Sequence, residues 1–411
     1  IFSGIVMLKL YRNHQGKIIL AALVLAFALG IGFPHLFKPL EFISSTFINL
    51  LKLCALPIVL TSLIVTIGSL QQLHELKKVA RNSVIYIVLT EIAAVTIGLV
   101  VFNLVDISGN INASSLLSGA HYSESTSTAI DPSHIFNYIF SANIFQSLVN
   151  FDVLPVVAFS IMFGISCALH QEKARPILQV MTSTREMFLV LLNGVMYLAP
   201  LAIFVLIGTS VSDSYMSGAL GANLVGLLKF VGLFFVALFI HFLWQILLVI
   251  ALYRHLGVRR ILRECLPIFT TAFISSSSLA TLPLALEKAL ELGGKKKVVN
   301  FMLPICASMN FASGMMYEMA ACLFFMHILG IHPDITQQIL LALACILTGI
   351  AVGGIPETSM VSFVTVFGMA GIPLSAIAIL MPLDRIVDRV RTMVNIFGNT
   401  CGTLIVSKSL D

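Results

Sequence analysis

The chain has 411 residues, of which 58% are hydrophobic and only 10% are charged. Soluble domains carry about 25% charged residues, so this composition excludes an ordinary soluble domain and indicates a polytopic membrane protein. The net charge is +5, but no basic patch with interleaved aromatic residues occurs, which argues against a nucleic-acid partner.

A transmembrane helix needs about 20 predominantly apolar residues. The first half of the chain contains several apolar runs of that kind. They lie near residues 17–36, 41–70, 79–106, 137–170, 186–213 and 220–253. No small-residue cleavage site follows the first run, and we expect it to be a retained span and not a signal peptide.

The pattern changes in the second half. Two segments, 258–293 and 335–370, are apolar but are interrupted in the middle by clusters of Ser, Thr, Gly and Pro. An ordinary apolar run lies between them near 298–328, and another follows near 374–405. The interrupted segments predict two re-entrant hairpins, each of which enters the membrane and returns to the same side.

Lysine and arginine residues fill alternate loops, and this bias predicts the orientation. They precede the first run, follow the second, fourth and sixth runs and the segment 258–293, and include Lys408 near the end. The loops 107–135, 214–219 and 329–334 contain none. We therefore predict cytoplasmic termini, a first hairpin that enters from the cytoplasm and a second that enters from outside.

The first hairpin carries four consecutive serines, from Ser275 to Ser278. Non-helical backbone at membrane depth is tolerated only where it lines a cavity or is buried in protein. Hydroxyls and a helix N-terminus at such a tip bind anions such as a carboxylate. Two hairpins from opposite faces are typical of an inverted-repeat transporter with a site at the midplane. The alternative is that the serines satisfy only one another and nearby carbonyls.

The last apolar run carries a polar stripe. Asp384, Asp388, Arg391, Asn395 and Asn399 are spaced by 4, 3, 4 and 4 residues, which places them on one helical face. One charge at mid-bilayer costs about 2.5–3.5 kcal/mol even on the insertion scale. Three charges on one face therefore predict a cavity, partners or a ligand, and an Asp388–Arg391 ion pair is the structural alternative.

Other charged residues need an explanation at membrane depth. Arg385 and Arg389 are offset from the stripe, and we expect them to pair with acids or to reach water. Glu91 and Glu318 lie inside apolar runs, where burial favours a neutral carboxyl and suits proton transfer. The alternatives are a structural pairing of Glu318 and, for Glu91, a buried neutral side chain or a pair with Lys229.

The segment DRIVDRVRTMVNIFGN at 384–399 resembles the last span of the dicarboxylate/amino acid:cation symporter family, which includes the glutamate transporters. The family pattern there is D-x-x-x-D-x-x-R-T-x-x-N-x-x-G-D. SSSSLATLP from Ser275 and GGIP from Gly353 resemble the tips of its two hairpins, and FINLLK from Phe47 resembles its second span. The resemblance implies an all-α polytopic membrane protein with eight transmembrane helices, two re-entrant helical hairpins and inverted repeats.

The resemblance also implies a homotrimer in the inner or plasma membrane, surrounded by lipid. Each protomer is expected to divide into scaffold helices, 1–78 and 136–215, and a mobile transport domain. The transport domain comprises the helix 79–106 and residues 216–411, with both hairpins, and it moves as an elevator. The loop 107–135 is expected to be extracellular.

A substrate site follows from the same resemblance. Asp388 would pair with a substrate ammonium, and Arg391 would hold a side-chain carboxylate. Glu357, beside the second hairpin tip, would either cap a helix N-terminus or face the ligand. The residues expected to bind substrate are Ser276, Ser277, Ser278, Gly354, Ile355, Pro356, Asp388, Arg391, Thr392 and Asn395.

The chain departs from the family pattern where sodium binds. The family's N-M-D-G-T is replaced by Asn310-Phe311-Ala312-Ser313-Gly314, and its final aspartate by Asn399, so two sodium-binding carboxylates are absent. We therefore expect proton coupling through Glu318 and Glu91, with sodium use reduced or absent. The residues expected in ion or proton coupling are Glu91, Thr90, Asn310, Glu318, Asp384 and Asn399, and a sodium ion could be held by Asn310, Asn395, Asn399 and Glu91.

These expectations predict a secondary active symporter of acidic amino acids or dicarboxylates, with H⁺ and/or Na⁺ as coupling cation and no other cofactor. A sodium-coupled symporter with a rearranged sodium site and an uncoupled exchanger are the alternatives. An intramembrane hydrolase that uses a hairpin serine has little support, because no Ser/His or Ser/Lys pair is evident. We therefore predict that the protein is not an enzyme.

Overall fold

The computed structural model describes residues 18, 21–69, 77–105, 109, 111–117, 140–253, 257–352 and 358–410, and every regular element among them is a helix. The helices of the first half are α1 (Ala21–Gly32), α2 (Glu41–Gly68), α3 (Lys77–Leu104), α4 (Ala113–Leu116), α5 (Ile144–Asn150), α6 (Val153–Leu169), α7 (Gln171–Met196) and α8 (Ala199–Met216). Those of the second half are α9 (Leu220–Leu252), α10 (Gly257–Ser275), α11 (Ser278–Glu291), α12 (Lys296–Met309), α13 (Ala312–Ile328), α14 (Ile335–Val352), α15 (Thr358–Ala370) and α16 (Ser375–Lys408). The prediction of an all-α polytopic architecture is confirmed.

Five helical stretches in the described part of the chain are long and apolar enough to cross a membrane. They are Pro34–Gly68, Lys78–Leu104, Ala199–Met216, Leu220–Leu252 and Lys296–Ile328. Several further apolar helices are shorter, and α16 carries the polar stripe that lowers its hydropathy.

Two predicted spans are wrong in their boundaries. The predicted run 137–170 contains two helices, α5 and α6, because Phe151 adopts a left-handed conformation with φ of 64° and ends α5. The predicted run 186–213 is divided between α7 and α8. Pro200 lies in the first turn of α8, where its missing N–H and fixed φ favour the start of a new helix.

The predicted run 298–328 is also interrupted. Helix α12 ends at Met309 and α13 begins at Ala312, with Asn310 in an extended conformation between them. This break brings the Asn310 side chain to the side of α16. Nearly every residue of α13 is buried, so this helix lies in the middle of the protein core.

Both predicted hairpins correspond to pairs of packed helices. In the first, α10 packs against α11, and Ser276 and Ser277 join them. In the second, α14 packs against α15. The tip of the second hairpin, with Gly354, Ile355, Pro356 and Glu357, lies outside the described residues.

Helix α16 has the most central position in the second half of the chain. It contacts the first hairpin through α10 and α11, the second through α15, and also α3, α8, α9, α12 and α13. In the first half, α2 packs mainly against α6 and α7. The polar stripe of α16 therefore faces the first hairpin, α13 and α15, and the candidate site lies there.

Candidate functional site

A cavity of about 400 Å³ opens between the first hairpin tip and the helices α13, α15 and α16. Its volume falls within the range of small-molecule sites, about 300–1,000 Å³. The predicted site residues that line it are Ser276, Ser277, Ser278, Glu318, Asp384, Asp388, Arg391, Thr392 and Asn395. Residues from three distant parts of the sequence thus meet at one cavity.

The serine-rich tip forms because the chain turns sharply there. Helix α10 ends at Ser275, and Ser276 adopts a left-handed φ of 49°. Ser277 is extended and caps α11, and its Oγ accepts a hydrogen bond from the backbone N–H of Ala280 at 3.2 Å. Serine is a favoured N-cap residue. The first turn of α11 therefore lies at the cavity, where a helix N-terminus attracts negative charge.

Arg391 is the central charged group of the cavity and is only 2% exposed. Its Nη2 donates to Asp384 Oδ1 at 2.5 Å, to Asp388 Oδ1 at 3.0 Å and to Ser359 Oγ at 3.0 Å. The ion pair that was the structural alternative for the stripe is therefore present, and it includes both aspartates. A buried arginine requires such a partner, since an uncompensated buried charge is strongly destabilising.

Tyr317 provides a further contact to Arg391. The guanidinium carbon of Arg391 lies 4.6 Å from the centroid of the Tyr317 ring, a cation–π geometry. The ring is held by neighbouring aromatic side chains, including Phe234 and Phe363. The guanidinium thus lies against an aromatic ring and two carboxylates, which fixes its position beside the cavity.

Arg389 has a role that the sequence did not predict. It is exposed, as expected for a residue that reaches water, but its Nη1 also donates to the backbone carbonyls of Phe273 at 2.9 Å and Ile274 at 3.3 Å. These carbonyls belong to the last turn of α10, where a positive charge is favourable. Arg389 therefore connects α16 to the tip of the first hairpin.

Thr392 and Asn395 continue the stripe toward α13. Both line the cavity and are buried. The Oδ1 atom of Asn395 accepts a hydrogen bond from the backbone N–H of Ser313 at 2.9 Å, which attaches the first turn of α13 to α16.

Two of the predicted coupling residues form a separate pair. Asn310 Nδ2 donates to Asn399 Oδ1 at 2.8 Å, and both side chains are buried. Asn310 Oδ1 and Asn399 Nδ2 have no hydrogen-bond partner among the described residues. The amide pair therefore retains one acceptor and one donor for a water or another ligand.

Glu91 lies on α3 and is completely buried. Neither of its carboxylate oxygens has a hydrogen-bond partner in the part of the chain that the structure describes, so the alternative of a pair with Lys229 is wrong. The neighbouring Thr90 donates to the carbonyl of Tyr86 at 2.8 Å. Tyr86 in turn donates to the carbonyl of Gly398 at 2.7 Å, which attaches α3 to α16.

The four residues predicted to hold sodium do not form one cluster of hydrogen-bonded groups. Asn310 and Asn399 contact each other, whereas Asn395 binds the backbone of α13. No group of three or more His, Cys, Asp or Glu side chains that could hold a metal ion occurs among the described residues. Of the four predicted residues, Asn310, Asn395 and Asn399 offer amide oxygens and Glu91 a carboxyl.

Glu318 lies on α13 at the wall of the cavity and is buried. Thr348 Oγ1 lies 3.5 Å from its Oε2, but that hydroxyl donates at a shorter distance, 2.7 Å, to the carbonyl of Ala344. Ser362 is a second hydroxyl beside this carboxyl, but burial still makes a carboxyl with few polar neighbours costly to ionise. The arrangement suits a group that takes up and releases a proton from the cavity.

Two contacts of Arg391 were missed from the sequence. Ser359 lies 32 positions before Arg391, and only the packing of α15 on α16 brings them together. In the sequence, Tyr317 is distinguished only by its position directly before Glu318. No spacing pattern connects Tyr317 to Arg391. An aromatic residue beside an intramembrane acid is the only sequence signal that could have drawn attention to it.

Comparison with known proteins identifies the family. The chain matches the sodium:dicarboxylate symporter family over residues 16–409. It is 31% identical over 381 residues to a proton/sodium-glutamate symport protein of Geobacillus stearothermophilus, a match that covers 92% of this chain and 89% of the relative. It is 29% identical over 373 residues to a proton/glutamate-aspartate symporter of Escherichia coli, covering 88% and 83%.

A third relative is named for a different substrate. The chain is 26% identical over 406 residues to a C4-dicarboxylate transport protein of Bacillus subtilis, covering 98% of this chain and 94% of the relative. The family match and the relatives agree with the helical architecture and the polar cavity. The chain therefore belongs to the sodium:dicarboxylate symporter family, and it is a transporter and not an enzyme.

Proposed function

We propose that this protein is a secondary active symporter that carries acidic amino acids such as glutamate and aspartate, coupled to protons. The observation that supports this most directly is the convergence of Arg391, Asp388 and the first turn of α11 on one cavity. Two of the relatives are named for glutamate, or glutamate and aspartate, and a third for C4 dicarboxylates.

The charges of the cavity match an amino acid with two carboxylates. The guanidinium of Arg391 has the planar geometry that binds one carboxylate, and the first turn of α11 provides backbone N–H groups for the other. The carboxylate of Asp388 accepts hydrogen bonds from the ammonium group of the substrate. Its side chain is 42% exposed, so it reaches an incoming ligand more readily than Asp384 does.

Substrate entry requires a rearrangement of the ion pairs in the cavity. A substrate carboxylate replaces Asp388 at the guanidinium of Arg391, while Asp388 turns to the ammonium group. Arg391 keeps a negative partner throughout, which avoids the large cost of an unpaired buried charge. The exchange of one carboxylate for another therefore favours anionic substrates over neutral ones.

Glu318 supports the choice of protons as the coupling ion. It lies at the cavity wall, so its protonation changes the charge that the substrate meets. Glu91 is a second buried carboxyl, on a helix that is attached to α16. The amide pair of Asn310 and Asn399 carries no charge to offset the desolvation of a sodium ion, and we therefore infer that sodium dependence is reduced or absent.

The transport cycle that we propose is of the elevator type in a homotrimer. The helix 79–106 and residues 216–411 move against the scaffold helices 1–78 and 136–215. The contacts of α16 with α3, with both helices of the first hairpin and with α15 of the second support a common moving unit. The packing of α2 against α6 and α7 supports a separate scaffold.

Uptake into proteoliposomes tests the proposal. Labelled L-glutamate, L-aspartate and a C4 dicarboxylate are supplied under an inward proton gradient or an inward sodium gradient, each imposed alone. Accumulation of an acidic amino acid on protons without sodium is the expected result. Accumulation only with sodium indicates a rearranged sodium site, and exchange without accumulation indicates an uncoupled exchanger.

Arg391→Ala is the matched negative variant, and Arg260→Gln, at an exposed position on α10, is its control. Loss of both uptake and exchange in Arg391→Ala, with normal activity in Arg260→Gln, supports the assigned site. Unchanged transport in Arg391→Ala contradicts it.

A further inference from the structure

Five exposed basic side chains lie at the ends of three helices. Lys78 and Arg81 are in the first turns of α3, Lys296 and Lys297 begin α12, and Lys408 ends α16. We call these five residues the basic patch. They come from three separate parts of the sequence, so their grouping is a property of the fold and not of a local charge run.

Side-chain hydrogen bonds hold the three helix ends together. Ser407 Oγ, near the end of α16, accepts from the backbone N–H of Lys295, which directly precedes α12, at 3.0 Å. Asn82 Nδ2, on α3, donates to Ser409 Oγ, just beyond α16, at 2.9 Å. Each bond joins the end of α16 to a different neighbour, which places the three segments of the basic patch side by side.

An apolar cluster lies directly next to these helix ends. Val79 of α3, Val298 and Met302 of α12 and Val406 of α16 pack together and are buried. Each of these valines is one or two residues from a member of the basic patch. The patch is therefore the polar rim of a packed three-helix contact, and its members have little freedom to separate.

All five residues of the basic patch are positively charged. The segments 75–82, 295–302 and 403–411 contain seven Lys or Arg residues and two acidic residues, Glu75 and Asp411. By contrast, Lys288, on the first hairpin, forms ion pairs with Glu264 and Glu291. Basic residues thus outnumber acidic ones at the three helix ends, and the net charge there is positive.

The neighbouring surface of α3 indicates the kind of ligand. One turn after Arg81, Val84 and Ile85 are exposed on the outside of α3, and Val88 and Leu89 continue this apolar surface along the helix. A ligand with a negative headgroup and an apolar tail fits a basic rim followed by an exposed apolar face. Clusters of four to eight Lys or Arg at the end of a transmembrane helix attract anionic lipids in this way.

We propose that the basic patch binds the headgroup of an anionic phospholipid, with its acyl chains along α3. The ligand bridges the ends of α3, α12 and α16. Glu91 lies on α3, Asn399 on α16 and Asn310 directly after α12, so the bound lipid stabilises the packing of the helices beside these buried polar groups.

Thermal unfolding of the purified full-length protein in mixed micelles tests this proposal. Phosphatidylglycerol is titrated into phosphatidylcholine micelles, and the mole fraction that gives half of the maximal rise in Tm is measured. Wild-type protein is expected to show a saturable rise with phosphatidylglycerol. The double variant Lys296→Gln/Lys297→Gln is expected to need roughly 25-fold more, since each basic residue near an anionic surface strengthens binding about fivefold.

The matched control is Arg259→Gln/Arg260→Gln, which removes two exposed charges from the start of α10, outside the patch. It is expected to respond as wild type does, and both variants are expected to keep the wild-type Tm in pure phosphatidylcholine. An equal response of all three proteins overturns the proposal. The same rise in Tm with inorganic phosphate alone also overturns it, because the site then recognises a soluble phosphate and not a lipid.

Discussion

The guanidinium of Arg391 lies over the ring of Tyr317, with 4.6 Å between Cζ and the ring centroid. The Tyr317 hydroxyl has no hydrogen-bond partner among the described residues, so the aromatic ring is the part of this side chain that contacts the cavity arginine. A desolvated cation–π contact contributes about 2 kcal/mol or more. Tyr317 is therefore a positioning residue for Arg391.

We predict that Tyr317→Leu raises the KM for acidic amino acids by roughly 30-fold, the factor that corresponds to about 2 kcal/mol. Tyr317→Phe keeps the ring and is expected to transport with nearly the wild-type KM. Initial uptake rates at varied substrate concentration provide the measurement. If both variants lose affinity equally, the hydroxyl and not the ring is the important group.

We predict that Glu318→Gln abolishes uptake driven by a proton gradient but preserves exchange between internal and external substrate. Glutamine has nearly the same shape as glutamate but takes no part in proton uptake and release. Counterflow and gradient-driven uptake are measured in the same proteoliposome preparation. Undiminished gradient-driven uptake in the variant means that Glu318 is not the coupling group, and Glu91→Gln becomes the next variant to test.

Removal of the Arg389 contacts is expected to loosen the first hairpin tip. Arg389→Ala deletes the hydrogen bonds to the carbonyls of Phe273 and Ile274, which end α10. We predict roughly threefold to tenfold faster hydrogen exchange of the backbone amides at 274–281, with no change in α13. Arg259→Ala, on the exposed start of α10, serves as the control, and equal exchange in both variants refutes the proposed contact.

Two glycines are expected to respond in opposite ways to alanine. At Gly314 an added Cβ meets only Phe311 Cβ at 3.7 Å, whereas at Gly402 it meets the ring of Tyr86 at 2.1 Å. Gly314→Ala is therefore predicted to keep the Tm or to raise it slightly, since alanine favours a helix. Gly402→Ala is predicted to lower the Tm by several degrees, about the effect of overpacking by 1–3 kcal/mol. A lower Tm for Gly314→Ala than for Gly402→Ala contradicts this.

The sequence predicted the local features of the site well. The spacing of the polar stripe required one helical face, and Asp384, Asp388, Arg391 and Asn395 all lie on the cavity side of α16. The serine cluster marked the turn of the first hairpin to within a residue. Both signals depend on neighbours in the sequence, which is why periodicity and N-cap preference were sufficient.

Other features depend on contacts between distant segments. The breaks at Phe151 and Asn310 lie inside apolar runs that are long enough to continue as helices, and only packing against other helices stabilises the interruption. The contact of Ser359 with Arg391 and the attachment of α3 to Gly398 by Tyr86 likewise join residues that no spacing rule connects.

The pairing of Arg391 with Asp384 and Asp388 has an electrical consequence for the empty transporter. In the proposed cycle the unloaded protein must return across the membrane, and moving one elementary charge through 100 mV changes its energy by about 2.3 kcal/mol. Arg391 is paired with both aspartates, so the guanidinium does not move as an isolated positive charge. The internal carboxylates therefore act as counter-ions to Arg391 during the return step and reduce the charge that its guanidinium would otherwise carry across the membrane.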